Sequence, residues 1–421
     1  LGSSLLGKAY GEPELGADGE PLAEPPPPRA IGWPKALCAL LKAFVGPSLL
    51  YLPHGWQDGG WIPTTAALPV LALTAGACLV RLISCRSLSG SRLSYSELME
   101  RAAGPLGRRA VDFSVVSLQS GTCCTYFVFI GSVLQQTVFP SVRLEFLILG
   151  QVLVLAPLAW IRQVRRLALP SLLADALILG ALLAILAFEA RHVAARGGPA
   201  PTAAPAARGY QGSVLGALVA FGTLCFSFEG IALVLPIYDS LREPKRFPAV
   251  MFACVAITSV VMLLSGLLGS AAFGGETRTI VLLNLPRSPG FAAVQLCYAA
   301  AVVLTFPLQL LPAVRVLEAA LFAPRAAPVS LAQKAKKSAF RTAYVCLLAA
   351  ASVLGQTSFD HFVSLIGVAC GMPLAFIYPC VCHYQQASSP WQRALDAAIA
   401  GLGLAAMAVI TAVNVALWVR P

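Results

Sequence analysis

The acidic residue Glu229 stands in the middle of an apolar stretch that runs from Gly212 to Tyr238. A carboxylate at that depth of a bilayer costs about 3 kcal/mol or more, so residues of this kind usually serve a function. Glu229 is therefore a candidate for taking up and releasing a proton. The same carboxylate could instead hydrogen-bond to backbone N–H groups freed by a helix break and never change its charge. The sequence around Glu229 leaves both roles open.

Two segments combine glycine and proline in a way that interrupts a membrane helix. Gly230 and Pro236 follow Glu229, and Gly46 and Pro47 lie in an earlier apolar run. Because proline lacks an N–H and glycine tolerates unusual dihedral angles, each helix should open there and free backbone groups. Half-helix ends that meet near the middle of a membrane are typical of a transporter binding site. A plain proline kink is the alternative for the earlier segment.

The two openings predict a site for a small zwitterion. Backbone N–H groups of the earlier opening would bind a carboxylate, and carbonyl groups of the later one would bind an ammonium. The Ser48 hydroxyl would add a donor, and Phe226 or Phe228 would close over the side chain of the ligand. Core packing or lipid contact is the alternative for these rings. The residues predicted to line the site are Val45, Gly46, Pro47, Ser48, Phe226, Ser227 and Phe228.

Composition indicates the kind of protein that positions these segments. Of 421 residues, 57% are hydrophobic and only 12% are charged, whereas a soluble domain carries about 25% charged residues. Apolar runs that could cross about 30 Å of hydrocarbon recur about eleven times, which predicts an all-α polytopic membrane protein over residues 33–421. Residues 1–32 contain acidic residues, glycines and four consecutive prolines, so they are predicted to form a disordered cytosolic tail.

The net charge of +11 is explained by membrane topology. Basic residues are concentrated in the loops after the even-numbered spans, which places the N-terminus in the cytosol. Because they are spread over many short loops, no nucleic-acid partner is predicted.

Other polar residues near the membrane have more than one interpretation. Lys42 could neutralise Glu229 or extend its ammonium to the interface, and we favour the interface. Asp175 is expected to pair with one of the arginines at positions 162, 165 and 166. Thr305 lies in an apolar run that also holds Pro307 and Pro312, and its hydroxyl could help to bind a sodium ion or act in gating.

No metal or cofactor site is predicted. The 12 cysteines and 4 histidines are not arranged at metal-ligand spacing. Scattered histidines also argue against an enzyme active site. We therefore expect a protein that is not an enzyme.

Five motifs, in order along the chain, resemble those of the amino acid/auxin permease family. The first contains Gly46 and Pro47 and the second contains Glu229 and Gly230; the others are the segments 119–126, 304–312 and 364–367 with Pro379. The chain is most similar to the proton-coupled amino acid transporter branch and its vacuolar relatives. This resemblance implies a LeuT-like inverted repeat of five plus five helices, with helices 1 and 6 broken around the substrate. It also implies transport of small neutral amino acids, with protons, in a vacuolar, lysosomal or plasma membrane.

The chain departs from the family at two places. Pro47 and Ser48 stand where members usually have Gly or Thr, so the site's backbone could be shaped differently. Ala39 stands where the animal members look to carry a histidine in the first helix, which weakens any role for such a histidine in binding the proton. The alternatives that stay open are an amino acid sensor and a sodium-coupled or uniport carrier, with sodium ranked below the proton.

Overall fold

The computed structural model describes residues 31–88, 93–161, 164–200, 213–322 and 331–419. In these ranges the chain is helical, and its single β-type contact is an isolated bridge between Ile31 and Leu241. The predicted tail covers residues 1–32, and positions 1–30 of it lie outside the described ranges.

Eleven helical segments follow one another in the described residues, and we call them spans 1 to 11. Spans 1 and 6 are each formed by two helices joined by a 3₁₀ turn, and span 10 contains two wide π turns. The bounds are as follows: span 1, Trp33–Phe44, Pro47–Tyr51 and Leu52–Gly59; span 2, Trp61–Leu88; span 3, Tyr95–Thr137; span 4, Leu144–Gly150 and Val152–Ala159; span 5, Val164–Arg196; span 6, Val214–Phe226, Glu229–Leu233 and Val234–Ser240; span 7, Phe247–Phe273; span 8, Pro289–Leu321; span 9, Leu331–Gly355; span 10, Phe359–Ile366, Gly367–Gly371, Pro373–Ile377 and Tyr378–Gln386; span 11, Pro390–Val419.

The number of spans agrees with the hydropathy of the chain. By length and composition, 7 helices in the described ranges could cross a membrane, and the bent span 1 makes an eighth. The longest of them, Gln333–Gln386, holds both span 9 and span 10, separated by the short turn Gln356–Ser358. Span 4 and the first half of span 6 are shorter apolar helices. The predicted all-α fold of about eleven spans is confirmed.

Spans 1 and 6 lie side by side and run in opposite directions. At one end, the N–H of Ile31 donates to the Ser240 carbonyl at 2.7 Å. At the other end, a Cβ added to Gly216 would lie 2.3 Å from the Asp58 carbonyl oxygen. Two broken helices five spans apart and opposite in direction are what an inverted repeat requires. We call the end that holds Ile31 the N-side and the opposite end the far side.

Span 10 supports the first half of span 6 through very close backbone contact. A Cβ added to Gly222 would lie 2.0 Å from Ser364 Oγ, and one added to Gly367 would lie 2.2 Å from the Gly222 carbonyl oxygen. The π turns of span 10 begin at Gly367, and turns of this kind often occur at functional sites. Only glycine fits at these two positions, so the first half of span 6 has a fixed neighbour on this side.

Span 3 begins with a capping box, formed by Ser94 and Glu97. The Glu97 N–H donates to Ser94 Oγ at 3.3 Å, and the Ser94 N–H donates to Glu97 Oε2 at 2.7 Å. The helix then bends where Gly104 takes a φ of 69°, a left-handed conformation that favours glycine. Beyond the bend, the semi-polar segment around Thr122 is buried against protein.

Candidate functional site

The first helix break lies where glycine and proline predict it. The helix ends at Phe44, and Val45 and Gly46 are extended, with φ and ψ of −99° and 92° and of −130° and −168°. Pro47 then begins a 3₁₀ turn, and the two halves of the span are bent by 44°. The N–H of Gly46 has no acceptor in the described residues, while its carbonyl accepts from the Tyr298 hydroxyl at 3.5 Å. The same carbonyl accepts from the Leu49 N–H at 3.2 Å, so the group that the break leaves free for a ligand is the Gly46 N–H.

The second break follows Phe226. Phe228 leaves helical geometry with φ and ψ of −92° and 29°, and a 3₁₀ turn then runs from Glu229 to Leu233 before the helix resumes. A Cβ added to Gly230 would lie 2.6 Å from the Ala43 carbonyl oxygen, so this turn packs directly on the end of the first half of span 1. Glycine at this position lets the two breaks approach each other.

Aromatic pairs connect the two breaks on both sides. Towards the N-side, the rings of Phe44 and Phe228 meet edge to face with centroids 6.3 Å apart. Towards the far side, the rings of Tyr51 and Phe226 lie 6.4 Å apart. All four rings are almost completely buried, so Phe226 and Phe228 face protein and not lipid. The space between the breaks is bounded by aromatic surface at both ends.

Ser48, which lies between Phe44 and Tyr51 along the chain, supplies the clearest polar feature of the first break. Its side chain is 1% exposed, and its hydroxyl has no hydrogen-bond partner in the described residues. A buried donor without a partner is costly, typically by about 1–3 kcal/mol, unless a ligand or water satisfies it. Ser227, by contrast, donates its hydroxyl to the Thr223 carbonyl at 3.0 Å within its own helix. The Ser48 hydroxyl is thus available to a ligand, and that of Ser227 is already used.

The other predicted site residues have different surroundings. Glu229 begins the turn after the second break, and its side chain lies outside what the structure describes. The Thr305 hydroxyl donates to the Val302 carbonyl at 3.0 Å within span 8. Lys42 Nζ lies 2.5 Å from Asp175 Oδ2, so the lysine contacts span 5. The arginines expected to pair with Asp175, at positions 162, 165 and 166, have side chains outside what the structure describes. In the described residues the acid pairs with Lys42, which comes from a span distant in sequence.

A cavity opens beside the second half of span 6 on the N-side. It has a volume of about 360 Å³, and residues of spans 2, 3, 6 and 8 line it. Arg86 of span 2 binds Asp239 of span 6 at 2.6 Å in its wall. The ion pair ties the end of span 6 to span 2 where the cavity meets the N-side.

Three polar features, two of them buried, were missed by the sequence analysis. Asp396 is bound by His383 at 2.5 Å and by Arg81 at 3.1 Å. His54 pairs with Asp58 at 2.9 Å in a crevice on the far side that Asp360 also lines. The third feature is the buried carboxylate of Glu189. The contacts of Asp396 and the burial of Glu189 involve other spans, so no local spacing pattern could have revealed them. His54 and Asp58, by contrast, are four residues apart on one helix, and that spacing was a usable signal.

Comparison with known sequences identifies relatives along almost the whole chain. The profile of a family described as transmembrane amino acid transporter protein matches residues 29–417. Vacuolar amino acid transporter 3 of Saccharomyces cerevisiae is 33% identical over 398 residues, which cover 91% of this chain and 56% of the yeast protein. The protein of the same name from Schizosaccharomyces pombe is 32% identical over 385 residues, with coverages of 90% and 57%. This chain therefore spans little more than half the length of these fungal relatives.

A plant relative and a solved structure agree with this assignment. The amino acid transporter ANT1 of Arabidopsis thaliana is 26% identical over 416 residues, which cover 91% of this chain and 93% of that protein. The crystal structure of MhsT in complex with L-phenylalanine matches with a TM-score of 0.57 over 92% of this chain and 99% of MhsT. At 12% sequence identity, this likeness concerns the fold alone. Its family profile, its relatives and its pair of broken antiparallel helices together place this chain in the transmembrane amino acid transporter family, the amino acid/auxin permeases.

Proposed function

We propose that this protein is a secondary active transporter that carries small neutral amino acids across a membrane together with protons. The substrate lies between the broken spans 1 and 6. The observation that carries the proposal is the buried, unsatisfied Ser48 hydroxyl, two residues after the extended Gly46, in a break whose flanking rings Phe44 and Tyr51 pair with rings of span 6. A polar ligand with an apolar side chain matches this combination.

The zwitterion of an amino acid would use both breaks. Its carboxylate accepts from the Gly46 N–H and the Ser48 hydroxyl at the first break, near Val45 and Pro47. Its ammonium donates to the carbonyls that follow Phe226, at Ser227 and Phe228. Hydrogen bonds of this kind to charged groups are stronger than those between neutral groups.

The surroundings of the site favour a small uncharged side chain. Phe44, Tyr51, Phe226 and Phe228 are buried around the two breaks and leave aromatic surface on both sides. A charged substrate side chain would lose its hydration against these rings without an ion-pair partner among them. We therefore expect alanine, glycine, serine and proline to be carried and lysine and glutamate to be excluded.

Proton-driven uptake is tested with purified protein in liposomes that contain a pH-sensitive dye. Alanine, proline, leucine, lysine and glutamate are added outside in turn, first without sodium and then with it. Acidification on addition of alanine or proline in the absence of sodium is the expected result. Uptake of labelled amino acid without acidification would contradict the proton coupling and favour uniport, exchange or a sodium ion near Thr305. Neither signal from folded protein would contradict transport and favour a sensor.

The Ser48→Ala variant tests the site itself. Loss of a hydrogen bond to a charged group costs about 1.5–3 kcal/mol, so the KM for alanine should rise by about tenfold or more. Ser259→Ala is the matched control, because that hydroxyl donates to the Val255 carbonyl within span 7. An unchanged KM in Ser48→Ala would place the carboxylate elsewhere.

Glu229 is the candidate for binding the proton next to the substrate. In Glu229→Gln we expect the exchange of labelled amino acid to persist while acidification is lost. If Glu229→Gln is not delivered to the membrane as folded protein, the carboxylate holds the break together and has no part in coupling. Lys42 is proposed to act in gating. Because its ammonium is bound to Asp175 of span 5, it would do so by fixing the position of the first half of span 1.

The membrane in which the protein works is proposed from its relatives. The fungal relatives are named as vacuolar transporters, which supports a vacuolar or lysosomal membrane over the plasma membrane for this chain, with the N-terminus in the cytosol. Imaging of the protein tagged at either terminus, with a protease added to intact organelles, tests both statements. Loss of the N-terminal tag to external protease, with an intact transporter domain, is expected.

A further inference from the structure

A carboxylate in span 5 is buried without a partner. The side chain of Glu189 is 1% exposed, and neither of its oxygens has a hydrogen-bond partner in the described residues. No ion pair within the described ranges includes it. Among the fully buried acids it differs in this respect from Asp396, which has two basic neighbours.

Two other spans cover this carboxylate. A Cβ added to Gly269 of span 7 would lie 3.1 Å from Glu189 Oε1 and 2.6 Å from Pro53 Cγ. Glu189, Gly269 and Pro53 therefore meet at one point, where spans 5 and 7 contact the second half of span 1. That half-helix begins directly after the 3₁₀ turn that carries Ser48 and Tyr51, so one rigid element connects Glu189 with the proposed substrate site.

The titratable groups of spans 1 and 5 near Glu189 have partners other than Glu189. On span 1, His54 is bound to Asp58 at 2.9 Å. On span 5, one turn beyond Glu189, His192 Nε2 accepts a hydrogen bond from Arg196 at 2.8 Å. Arg196 also donates to the Ala272 carbonyl at 2.9 Å.

Spans 7 and 8 add no charge beside Glu189. Span 7 contains no Asp, Glu, Lys, Arg or His between Phe247 and Phe273, and Cys254 is its sole thiol. Span 8 packs against span 5 and carries Cys297, Tyr298, Arg315 and Glu318, of which none is paired with Glu189 in the described residues.

A carboxylate in such surroundings is stable only when it is protonated, because an isolated charge loses its hydration and gains nothing in return. To release the proton it must reach water or a basic partner. The shortest way is for the second half of span 1 to move away from span 7, which uncovers Glu189 towards the half-buried His192 on the same face of span 5. The movement that would open the substrate site on the far side would then also change the charge of Glu189.

We propose that Glu189 binds the proton that is transported with the amino acid. Water on the far side supplies the proton, a carboxylate oxygen of Glu189 binds it while span 1 is open, and closure of span 1 onto span 7 holds it as a neutral acid. When the substrate site next opens on the N-side, the carboxyl of Glu189 gives this proton up to water on that side, so one proton crosses the membrane and no other bond is made or broken. The inference rests on the transport function proposed above and assigns the coupled proton to span 5 in addition to the break at Glu229.

The Glu189→Gln variant in liposomes tests the assignment, because glutamine copies the shape of the protonated acid and cannot release a proton. We expect acidification driven by alanine to be lost while the exchange of labelled alanine between the two sides is retained. Glu276→Gln is the control, since Glu276 is an exposed acid beyond the far-side end of span 7 and should keep full acidification. Acidification at the wild-type ratio to alanine in folded Glu189→Gln would overturn the proposal.

Two further experiments test the proposal if the Glu189→Gln variant does not fold: transport by Glu189→Asp and chemical labelling of the wild-type protein. Aspartate keeps a titratable group, so coupling should return with a displaced pH dependence. In wild-type protein, an apolar carbodiimide, which adds only to protonated carboxyl groups, should modify the peptide that contains Glu189. An unmodified Glu189 peptide would contradict the proposal even if no amino acid is transported, so this labelling separates the proton site from the transport function itself.

Discussion

Asp396 and Glu189 are both carboxylates buried in the helical bundle, with exposures of 0% and 1%, but their surroundings are opposite. Asp396 lies 2.5 Å from His383 and 3.1 Å from Arg81, so three spans contribute to one ionic cluster. Glu189 has no partner in the described residues and faces glycine and proline. Burial alone therefore does not assign a role to an acid in a membrane protein. The presence or absence of a basic partner decides whether the charge is a fixed structural element or one that can change.

The largest effect is expected when Asp396 loses its charge. Asp396→Ala leaves Arg81 and His383 facing a buried gap, and removal of one partner from a buried pair costs roughly 3–5 kcal/mol. Thermal unfolding of the purified protein in detergent should show a large drop in Tm. A Tm close to that of the wild type would mean that Arg81 finds water or lipid headgroups, and the contrast with Glu189 would disappear.

Replacing both charges of the cluster sharpens the comparison. In the double variant Arg81→Met/Asp396→Leu no uncompensated charge remains, and exchanges of this kind are often neutral or even stabilising. We expect most of the stability lost in Asp396→Ala to return. If the double variant is as unstable as the single one, the cluster holds its spans together by shape or by the His383 contact and not by cancellation of charge.

The half-exposed pair between Lys42 and Asp175 gives an intermediate case. Its side chains are 38% and 32% exposed, and pairs that reach water contribute less than about 1 kcal/mol. Asp175→Asn should therefore change the Tm only slightly, in contrast to Asp396→Ala. A loss as large as that of Asp396→Ala would indicate that the pair lies in the hydrocarbon and holds spans 1 and 5 together.

The smallest effect on stability is expected at Glu189. Since a protonated carboxyl and an amide have nearly the same shape and polarity, Glu189→Gln should alter the free energy of unfolding by less than about 1 kcal/mol. A strong loss of stability on the same melting assay would mean that Glu189 is ionised and satisfied, as Asp396 is. We therefore expect Glu189→Gln to leave the Tm almost unchanged and to abolish the acidification driven by alanine.

Much of the fold follows from local sequence. Apolar runs of sufficient length fix the spans, because the hydrocarbon must be crossed by helices that satisfy their own backbone. Gly46 with Pro47, and Gly230 with Pro236, fix the two breaks, and Ser94 with Glu97 fixes the start of span 3. These are interactions between residues close in the chain, so their spacing is enough to predict them.

The helix breaks of the candidate site were predicted from the sequence, but the hydrogen bonding of its hydroxyls was not. Gly46 and Ser48 lie at the first break and Phe226 and Phe228 at the second, and their contact with a substrate stays a prediction. The hydroxyls of Ser227 and Thr305 are bound within their own helices. The sequence does not show which of the two serine hydroxyls is free. The Ser227 hydroxyl reaches the Thr223 carbonyl in the preceding turn of its helix, whereas the Ser48 hydroxyl has no partner in the described residues.

By itself, the sequence determined the number and order of the spans, the positions of the two breaks and the family. The tertiary structure alone decided which charges meet: Lys42 with Asp175, Asp396 with Arg81 and His383, and Glu189 with nothing in the described residues. The physical reason is range. Helix formation and helix breaks depend on neighbours within a few residues, whereas the state of a buried charge depends on groups that packing brings together from distant spans.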